Sequence, residues 1–222
     1  MSLAGAMKSL MSLTEAQYGL VTTRQAELNG AHRRDLSRLV QAGILEHMAH
    51  GVYRLAGAPC PGLVELRAAW LQLAPELETD QREAVHGVVS HSSAALIYEV
   101  GLLDPLRWEF IIPPPRRFRT RRQDVAVHRA PLAADDVRLV DGLLATTPLR
   151  TVADLASVRL DGGHLGLVVA DMLERRLVRP GDVALAVAPY AAAYGLPGAT
   201  GREFLEHLTD RQGRRISHVA LR

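Results

Sequence analysis

The chain has 222 residues, 48% of them hydrophobic, and its 26 basic and 24 acidic residues leave a formal net charge of +2. This length suits one or two compact domains, and such a hydrophobic fraction excludes a wholly disordered chain. No apolar run approaches the roughly 18 residues that a membrane span needs, and the N-terminus lacks a secretion signal. The single cysteine, Cys60, excludes an internal disulfide and a cysteine-based zinc site. We therefore expect a soluble cytoplasmic protein with no membrane partner.

The near-neutral total hides local charge patches. Residues 58–112 carry three basic and eight acidic groups, whereas residues 113–129 carry six basic and one acidic group. Lys8 is the only lysine, so arginine supplies nearly all of the positive charge. Sign asymmetry of this kind predicts patches with separate binding roles.

The first 57 residues carry the signals of a small DNA-binding fold. Thr22 and Thr23 are good first residues for a short helix, which Asn29-Gly30 ends because both residues tolerate left-handed backbone angles. The other predicted elements are helices over 7–18 and 31–42, then strands over 44–48 and 52–55 joined by 49–51. This order predicts a winged helix-turn-helix.

The helix over 31–42 has the pattern of a DNA-reading helix. Burial of Leu36, Leu39 and Val40 turns its polar side chains to the opposite face. Arginine can donate two hydrogen bonds to a guanine edge or pair with phosphate, and a helix fits the major groove. We predict DNA contacts from this helix, from phosphate-positioning residues before it and from the wing; the whole set is Thr23, Arg24, Arg33, Arg34, Ser37, Arg38, Gln41, His50 and Arg54. An ordinary solvated helix face is the alternative.

The pattern of residues 59–96 indicates structural elements rather than a catalytic site. After a linker at 59–62, an apolar pattern predicts a helix over 63–73, and residues 76–83 are predicted to form an acidic, solvated loop. A hydrolase would need a serine and a histidine that face each other, which adjacent residues such as Ser90 and His91 rarely do. The serines therefore indicate a helix start, with Ser90 or Ser92 as the cap.

Five arginines surround one phenylalanine on the connection between two predicted strands, 107–112 and 125–128. They are Arg116, Arg117, Arg119, Arg121 and Arg122. Burial of such a cluster would cost far too much free energy, so we expect it to face water or an anionic partner. A solvated loop and a contact with nucleic acid or an acidic protein both remain open.

The last 90 residues contain one clear hairpin and several helices. Asp141-Gly142 suits a type I′ turn between strands over 137–140 and 143–146, and Thr147-Pro148 starts a helix in which Arg150 and Asp154 are spaced to pair. Further helices are predicted over 164–178, over 183–194 with Asp182 as its cap, and over 201–208, followed by a basic tail over 211–222.

The sequence offers little support for catalysis. It has no carboxylate pair, metal-ligand spacing or glycine-rich phosphate loop. The histidine pairs His86/His91 and His47/His50 lack the helical spacing of a two-ligand metal face. We expect no enzyme activity, no catalytic residue, no metal and no cofactor.

The combined pattern resembles the AbiE-type (AbiEi) antitoxin family of type IV toxin–antitoxin systems, in its actinobacterial form. The resemblance covers about residues 10–160 and, more loosely, the helical end. The segments that carry it are 51–55 (GVYRL), 89–95 (VSHSSAA), the basic connection 116–122 leading to 127–129 (VHR), and 141–155 (DGLLATTPLRTVADL).

This resemblance implies a winged helix that represses its own operon at inverted repeats, and a C-terminal domain that counteracts a nucleotidyltransferase toxin. It implies no catalytic residues. Two departures matter. The wing sequence 46–50 is nearly neutral, whereas the wing in this family is often arginine-rich. Some similar proteins end in a nuclease-like domain whose metal site needs a lysine after its carboxylates, and because Lys8 is the only lysine here, we do not expect that domain.

We therefore predict an α+β protein: a winged helix-turn-helix over 1–57, a mixed α/β interaction domain with a helical end over 63–210, and the tail. The leading hypothesis is a DNA-binding antitoxin and autorepressor that binds double-stranded operator DNA as a homodimer, with a nucleotidyltransferase toxin as partner. The alternative is a protein- or RNA-interaction module that acts through residues 116–122 without sequence-specific DNA binding.

Overall fold

The computed structural model describes residues 3–59 and 62–210, so Cys60 and the predicted tail over 211–222 lie outside the described residues. The fold is α+β, as predicted, and it divides into two compact units. The first comprises residues up to Gly87 together with Ile112–Arg119, and the second comprises Val88–Ile111 together with the chain from Thr120 onward. The predicted boundary between residues 57 and 63 therefore lies inside the first unit.

The first unit has the element order of a winged helix, followed by one more helix. Its elements are α1 (Leu3–Ala16), β1 (Leu20–Thr22), α2 (Thr23–Leu28), α3 (Arg33–Gln41), β2 (Leu45–Ala49), β3 (Val52–Leu55) and α4 (Val64–Leu73). The three strands form an antiparallel sheet in the order β1-β3-β2. The sequence prediction contained every one of these elements except β1.

Local hydrogen bonds explain where α2 begins. The Thr22 hydroxyl accepts the N–H of Gln25, and the Gln25 side chain accepts the N–H of Thr22, which satisfies two donors that a helix start leaves unpaired. Beneath α1, α2 and α3 lies a small apolar core. Its buried members are Leu10, Leu13, Val21, Ala26, Ala31, Leu36, Leu39 and Leu45.

The second unit is a mixed sheet followed by helices. Its elements are β4 (Val88–Val89), α5 (His91–Ile97), β5 (Trp108–Ile111), β6 (Val125–His128), β7 (Val137–Val140), β8 (Leu143–Thr146), α6 (Pro148–Ser157), α7 (Gly162–Glu174), α8 (Pro180–Val187) and α9 (Gly201–Asp210). The strand order is β6-β5-β4-β8-β7. Strand pairs β5/β6 and β4/β8 are parallel, and β4/β5 and β7/β8 are antiparallel.

Turn and cap chemistry in the second unit largely follows the sequence. Asp141 and Gly142 both have positive φ, as a type I′ turn requires, and the Thr147 hydroxyl accepts a hydrogen bond from the N–H of Arg150. The predicted Arg150–Asp154 pair is confirmed at 2.8 Å. The predicted cap at Asp182 is wrong, because α8 already begins at Pro180 and this aspartate lies in its first turn.

The helices of the second unit pack around an apolar core that includes Val168, Met172, Phe204 and Leu208. Gly201, at the start of α9, lies so close to α8 that an added Cβ would be 1.9 Å from the carbonyl oxygen of Ala184. This position therefore has room for glycine alone. Among the helices of residues 3–59 and 62–210, none has the length and apolar character needed to cross a membrane.

Candidate nucleic-acid interface

Helix α3 presents an exposed basic face above a buried apolar one. Leu36 and Leu39 have no solvent exposure, and the Asp35 carboxylate accepts the N–H of His32 at 3.0 Å, which fixes the start of the helix. The five helix residues predicted to contact DNA all lie at exposed positions: Arg33, Arg34, Ser37, Arg38 and Gln41. The orientation that the DNA hypothesis requires is therefore present, whereas the contact itself stays a prediction.

One acidic side chain lies among these arginines. Glu27 of α2 accepts a hydrogen bond from Arg24 at 3.5 Å and another from Arg33 at 3.2 Å. Arg38 lies 3.9 Å from the Asp35 carboxylate, and its own side chain is 61% exposed. The pairs that Glu27 makes lie at the surface, where ion pairs contribute about 0–1 kcal/mol, so Arg24 and Arg33 can exchange Glu27 for phosphates at little cost.

Of the two wing residues that were predicted to contact DNA, one is exposed and the other is buried. His50 is exposed within the turn between β2 and β3, and the backbone N–H of Thr23 donates to the Gly51 carbonyl at 2.8 Å, which holds that turn against α2. Arg54 is only 8% exposed and pairs with Glu46 at 3.4 Å, while its other terminal nitrogen donates to the Ala58 carbonyl. Because its guanidinium is used inside the unit, Arg54 must be removed from the predicted DNA-contacting set.

The basic connection over 116–122 is only partly the exposed cluster that was predicted. Arg117, Arg119 and Arg121 are exposed. Arg116 is instead partly buried, and it donates to the carbonyls of Leu73 and His86. The prediction that all five arginines face water is therefore wrong at Arg116.

Arg122 is the second member of this connection with a partner in its own unit. It forms an ion pair with Asp124, with 2.9 Å between its Nε and the carboxylate, and this guanidinium holds the pKa of Asp124 below its ordinary value. Three arginines, at 117, 119 and 121, therefore remain as candidate contacts for a partner.

The predicted acidic loop over 76–83 also hides a buried cation. Arg82 is 6% exposed, and it donates to the carbonyls of Trp70, Leu71 and Ala74 at 2.6–2.7 Å. These carbonyls belong to the last turn of α4 and the residue after it, where carbonyls otherwise lack partners. Burial lowers the pKa of Arg82 to about 10. The prediction of a fully solvated loop is therefore wrong.

Sequence reasoning missed a cluster in the second unit, formed by His91, Glu109 and His128. The spacing of neighbouring histidines does not reveal this cluster, because strand pairing brings together residues up to 37 positions apart in the sequence. Burial, and to a lesser extent the neighbouring His128, lower the pKa of His91 to about 4, so this ring is neutral at pH 7. Of the two serines predicted as alternative caps, Ser90 occupies the N-cap position of α5, but its side chain makes no capping bond and lies 2.9 Å from His91 Nδ1 instead. The backbone N–H of Ser92, in the first turn of the helix, donates to Glu109.

Comparison with known proteins agrees with the N-terminal assignment. Residues 8–56 match the model of a family described as a transcriptional regulator, the AbiEi antitoxin. The fold is similar to the crystal structure of the RV2827C protein from Mycobacterium tuberculosis, with a TM-score of 0.52 and 17% identity, over 96% of this chain and 83% of that one. No curated protein sequence matches this chain. Over residues 8–56, this chain thus matches the AbiEi antitoxin family of transcriptional regulators, the family that its motifs predicted.

Proposed function

We propose that the chain is a cytoplasmic, DNA-binding antitoxin that represses its own operon and acts by binding rather than by catalysis. The observation that carries this proposal is the exposed arginine face of α3 above the buried Leu36 and Leu39. The family match over residues 8–56 supports a role in a toxin–antitoxin system. The partner we propose for the second unit is a nucleotidyltransferase toxin.

The geometry of α3 suggests how the duplex would be recognised. In helix-turn-helix proteins, the first residues of the second helix approach the base edges, and the helix before it crosses the backbone. Arg33 and Arg34 occupy the first turn of α3, so we assign them base or phosphate contacts worth about 1–3 kcal/mol each. Arg24 of α2 would then contact phosphate. Two copies on an inverted repeat would place two such helices in successive major grooves.

The test is binding of the full chain to a duplex from the region upstream of its own reading frame, measured by fluorescence anisotropy. We expect Arg33→Ala/Arg34→Ala to weaken binding at least tenfold and to flatten the salt dependence, because each lost phosphate contact changes the log–log slope by about 0.9. Arg176→Ala/Arg179→Ala removes the same charge from exposed positions in the second unit. Equal affinities for the two double variants would contradict the assignment of α3.

A second candidate function uses the exposed arginines of the connection. Arg117, Arg119 and Arg121 would dock on an acidic protein or on RNA, without sequence-specific DNA binding. The test replaces these three by serine and leaves Arg116 and Arg122 unchanged, because both have partners within the fold. Rescue of cells from the neighbouring toxin gene should be lost if this connection binds the toxin. Full rescue would remove the connection from the mechanism.

A further inference from the structure

Three side chains with metal-binding atoms meet on one face of the second unit's sheet. His91 follows β4, where the backbone N–H of Ser90 donates to the Glu109 carbonyl at 3.0 Å and aligns the turn with β5. His128, the last residue of β6, is paired with Ile111 of β5. Since side chains alternate along a strand, Glu109 and Ile111 share a face, and His128 joins them there.

The distances within the cluster are short. One nitrogen from each ring and one carboxylate oxygen all lie within 4.8 Å of one another. His128 Nε2 is 3.1 Å from Glu109 Oε1, and the two imidazole rings are stacked with their centroids 3.8 Å apart. His91 is buried, whereas 29% of the His128 side chain and 18% of the Glu109 side chain are exposed. The cluster is therefore accessible to solvent from one side.

Neighbouring serines hold these groups in place. The Ser90 hydroxyl is 2.9 Å from His91 Nδ1, and the backbone N–H of Ser92 donates to Glu109 Oε2 at 3.0 Å. The backbone N–H of Glu109 itself donates to the Ser93 hydroxyl at 2.9 Å. Outer hydrogen bonds of this kind orient histidine and carboxylate ligands in metalloproteins.

We propose that His91, Glu109 and His128 form a binding site for a divalent transition-metal ion, and that Zn²⁺ fits it best. Two imidazoles and one carboxylate are a donor set found in zinc sites that keep a fourth, open position, which water would fill here from the exposed side. Ligands about 2.1 Å from a tetrahedral zinc lie about 3.4 Å apart, so the widest separation, at most 4.8 Å, must shrink by up to about 1.4 Å. Metal binding would therefore require the two stacked imidazoles to turn until their ring nitrogens converge, and it would replace the His128–Glu109 hydrogen bond.

The charged side chains near the cluster do not oppose the binding of a cation. Arg150 lies close enough to act electrostatically on His91, but it forms ion pairs with both Asp136, at 2.7 Å, and Asp154, at 2.8 Å. This group of three therefore carries one net negative charge.

The alternative is a hydrogen-bonded cluster that only ties β4, β5 and β6 together. Direct metal binding distinguishes the two. The full chain, without an affinity tag and carrying Cys60→Ser to remove its thiol, is stripped with chelator and titrated with Zn²⁺ by calorimetry. Bound metal is counted after dialysis. We expect one zinc per chain, and Co²⁺ in its place should give the visible absorption of a low-coordinate site.

Two variants test the ligands. Glu109→Gln and His128→Asn should each weaken zinc binding at least tenfold, and Ser90→Ala should weaken it about 10–100-fold through the loss of an orienting hydrogen bond. His164→Asn, at an exposed position on α7, should bind as the parent does. Circular dichroism checks that each variant is folded. Absence of zinc from the parent chain, or undiminished binding by folded Glu109→Gln and His128→Asn, would overturn the site, and neither result depends on DNA binding.

Discussion

Glu27 offers a sharp test of the proposed DNA surface, because it puts a negative charge where phosphates would bind. Its carboxylate accepts hydrogen bonds from Arg24 at 3.5 Å and from Arg33 at 3.2 Å. Glu27→Gln removes the charge but keeps the shape and an oxygen that both arginines can still reach. If α3 binds DNA, this variant should bind it more tightly.

The size of the effect follows from Coulomb's law. A phosphate paired with Arg33 would lie about 6 Å from the Glu27 carboxylate, where the repulsion is about 0.7 kcal/mol in water and about 3 kcal/mol at an effective dielectric constant of 20. The exposed ion pairs that are lost contribute less than about 1 kcal/mol to the orientation of the arginines. A net gain of about 1 kcal/mol corresponds to a roughly fivefold lower Kd at low salt, and screening should reduce it as salt rises.

Fluorescence anisotropy with a labelled operator duplex measures this change at two salt concentrations. Glu15→Gln is the matched control, since it changes the net charge equally at an exposed position on α1. We expect Glu27→Gln to bind severalfold more tightly than Glu15→Gln. Equal or weaker binding would refute the argument that phosphates approach Arg33.

Three further predictions concern stability, each measured by urea unfolding. Gly201→Ala should lower the free energy of unfolding by about 2 kcal/mol, because the added Cβ would collide with an α8 carbonyl. Gly181→Ala, whose Cβ would have nothing within 4 Å, should leave it unchanged or raise it slightly. Equal effects of the two substitutions would contradict this explanation. Burial raises the pKa of Tyr98 to about 12, so the folded chain keeps a proton that the unfolded chain loses near pH 10. The contribution of Tyr98 to the free energy of unfolding is therefore fully present below pH 10 and falls by up to about 2–3 kcal/mol toward pH 12. The difference in stability between the parent and Tyr98→Phe should shrink over that range, and a constant difference would contradict this reasoning. Arg82→Met should lower the free energy of unfolding by about 3 kcal/mol, because it leaves three carbonyls without their charged donor, and Arg82→Lys should lower it less. If Arg82→Met leaves the free energy of unfolding unchanged, the desolvation cost of the guanidinium cancels the gain from its hydrogen bonds.

Local signals made much of the fold predictable. Leu36 and Leu39 at helical spacing gave α3, and Asp141-Gly142 gave the β7–β8 hairpin, because each depends on neighbours a few residues away. Strands β1 and β4 were missed, since they have three and two residues and are defined by pairing with distant strands. Length and periodicity cannot identify such short elements.

The roles of individual arginines were harder to predict. Arg54 could have been placed correctly, because it alternates in step with the buried Val52 on a strand and must share its face. Arg82 and Arg116 could not, because their partners are backbone carbonyls at the end of α4 and, for Arg116, also at His86, and no residue pattern marks where those carbonyls will lie. The His91–Glu109–His128 cluster likewise depends on a strand register that the sequence does not display.

The segment Ile112–Arg119 has a consequence for how this protein could be cut or recombined. It leaves the second unit and returns to it, yet it belongs to the first, where Arg116 donates to the carbonyls of Leu73, at the end of α4, and of His86. Neither unit is thus an uninterrupted stretch of sequence. A gene fragment ending at Gly87 would encode the first unit without the segment that carries Arg116, so exchange of a part of this chain is simplest within residues 8–56, which match the family model.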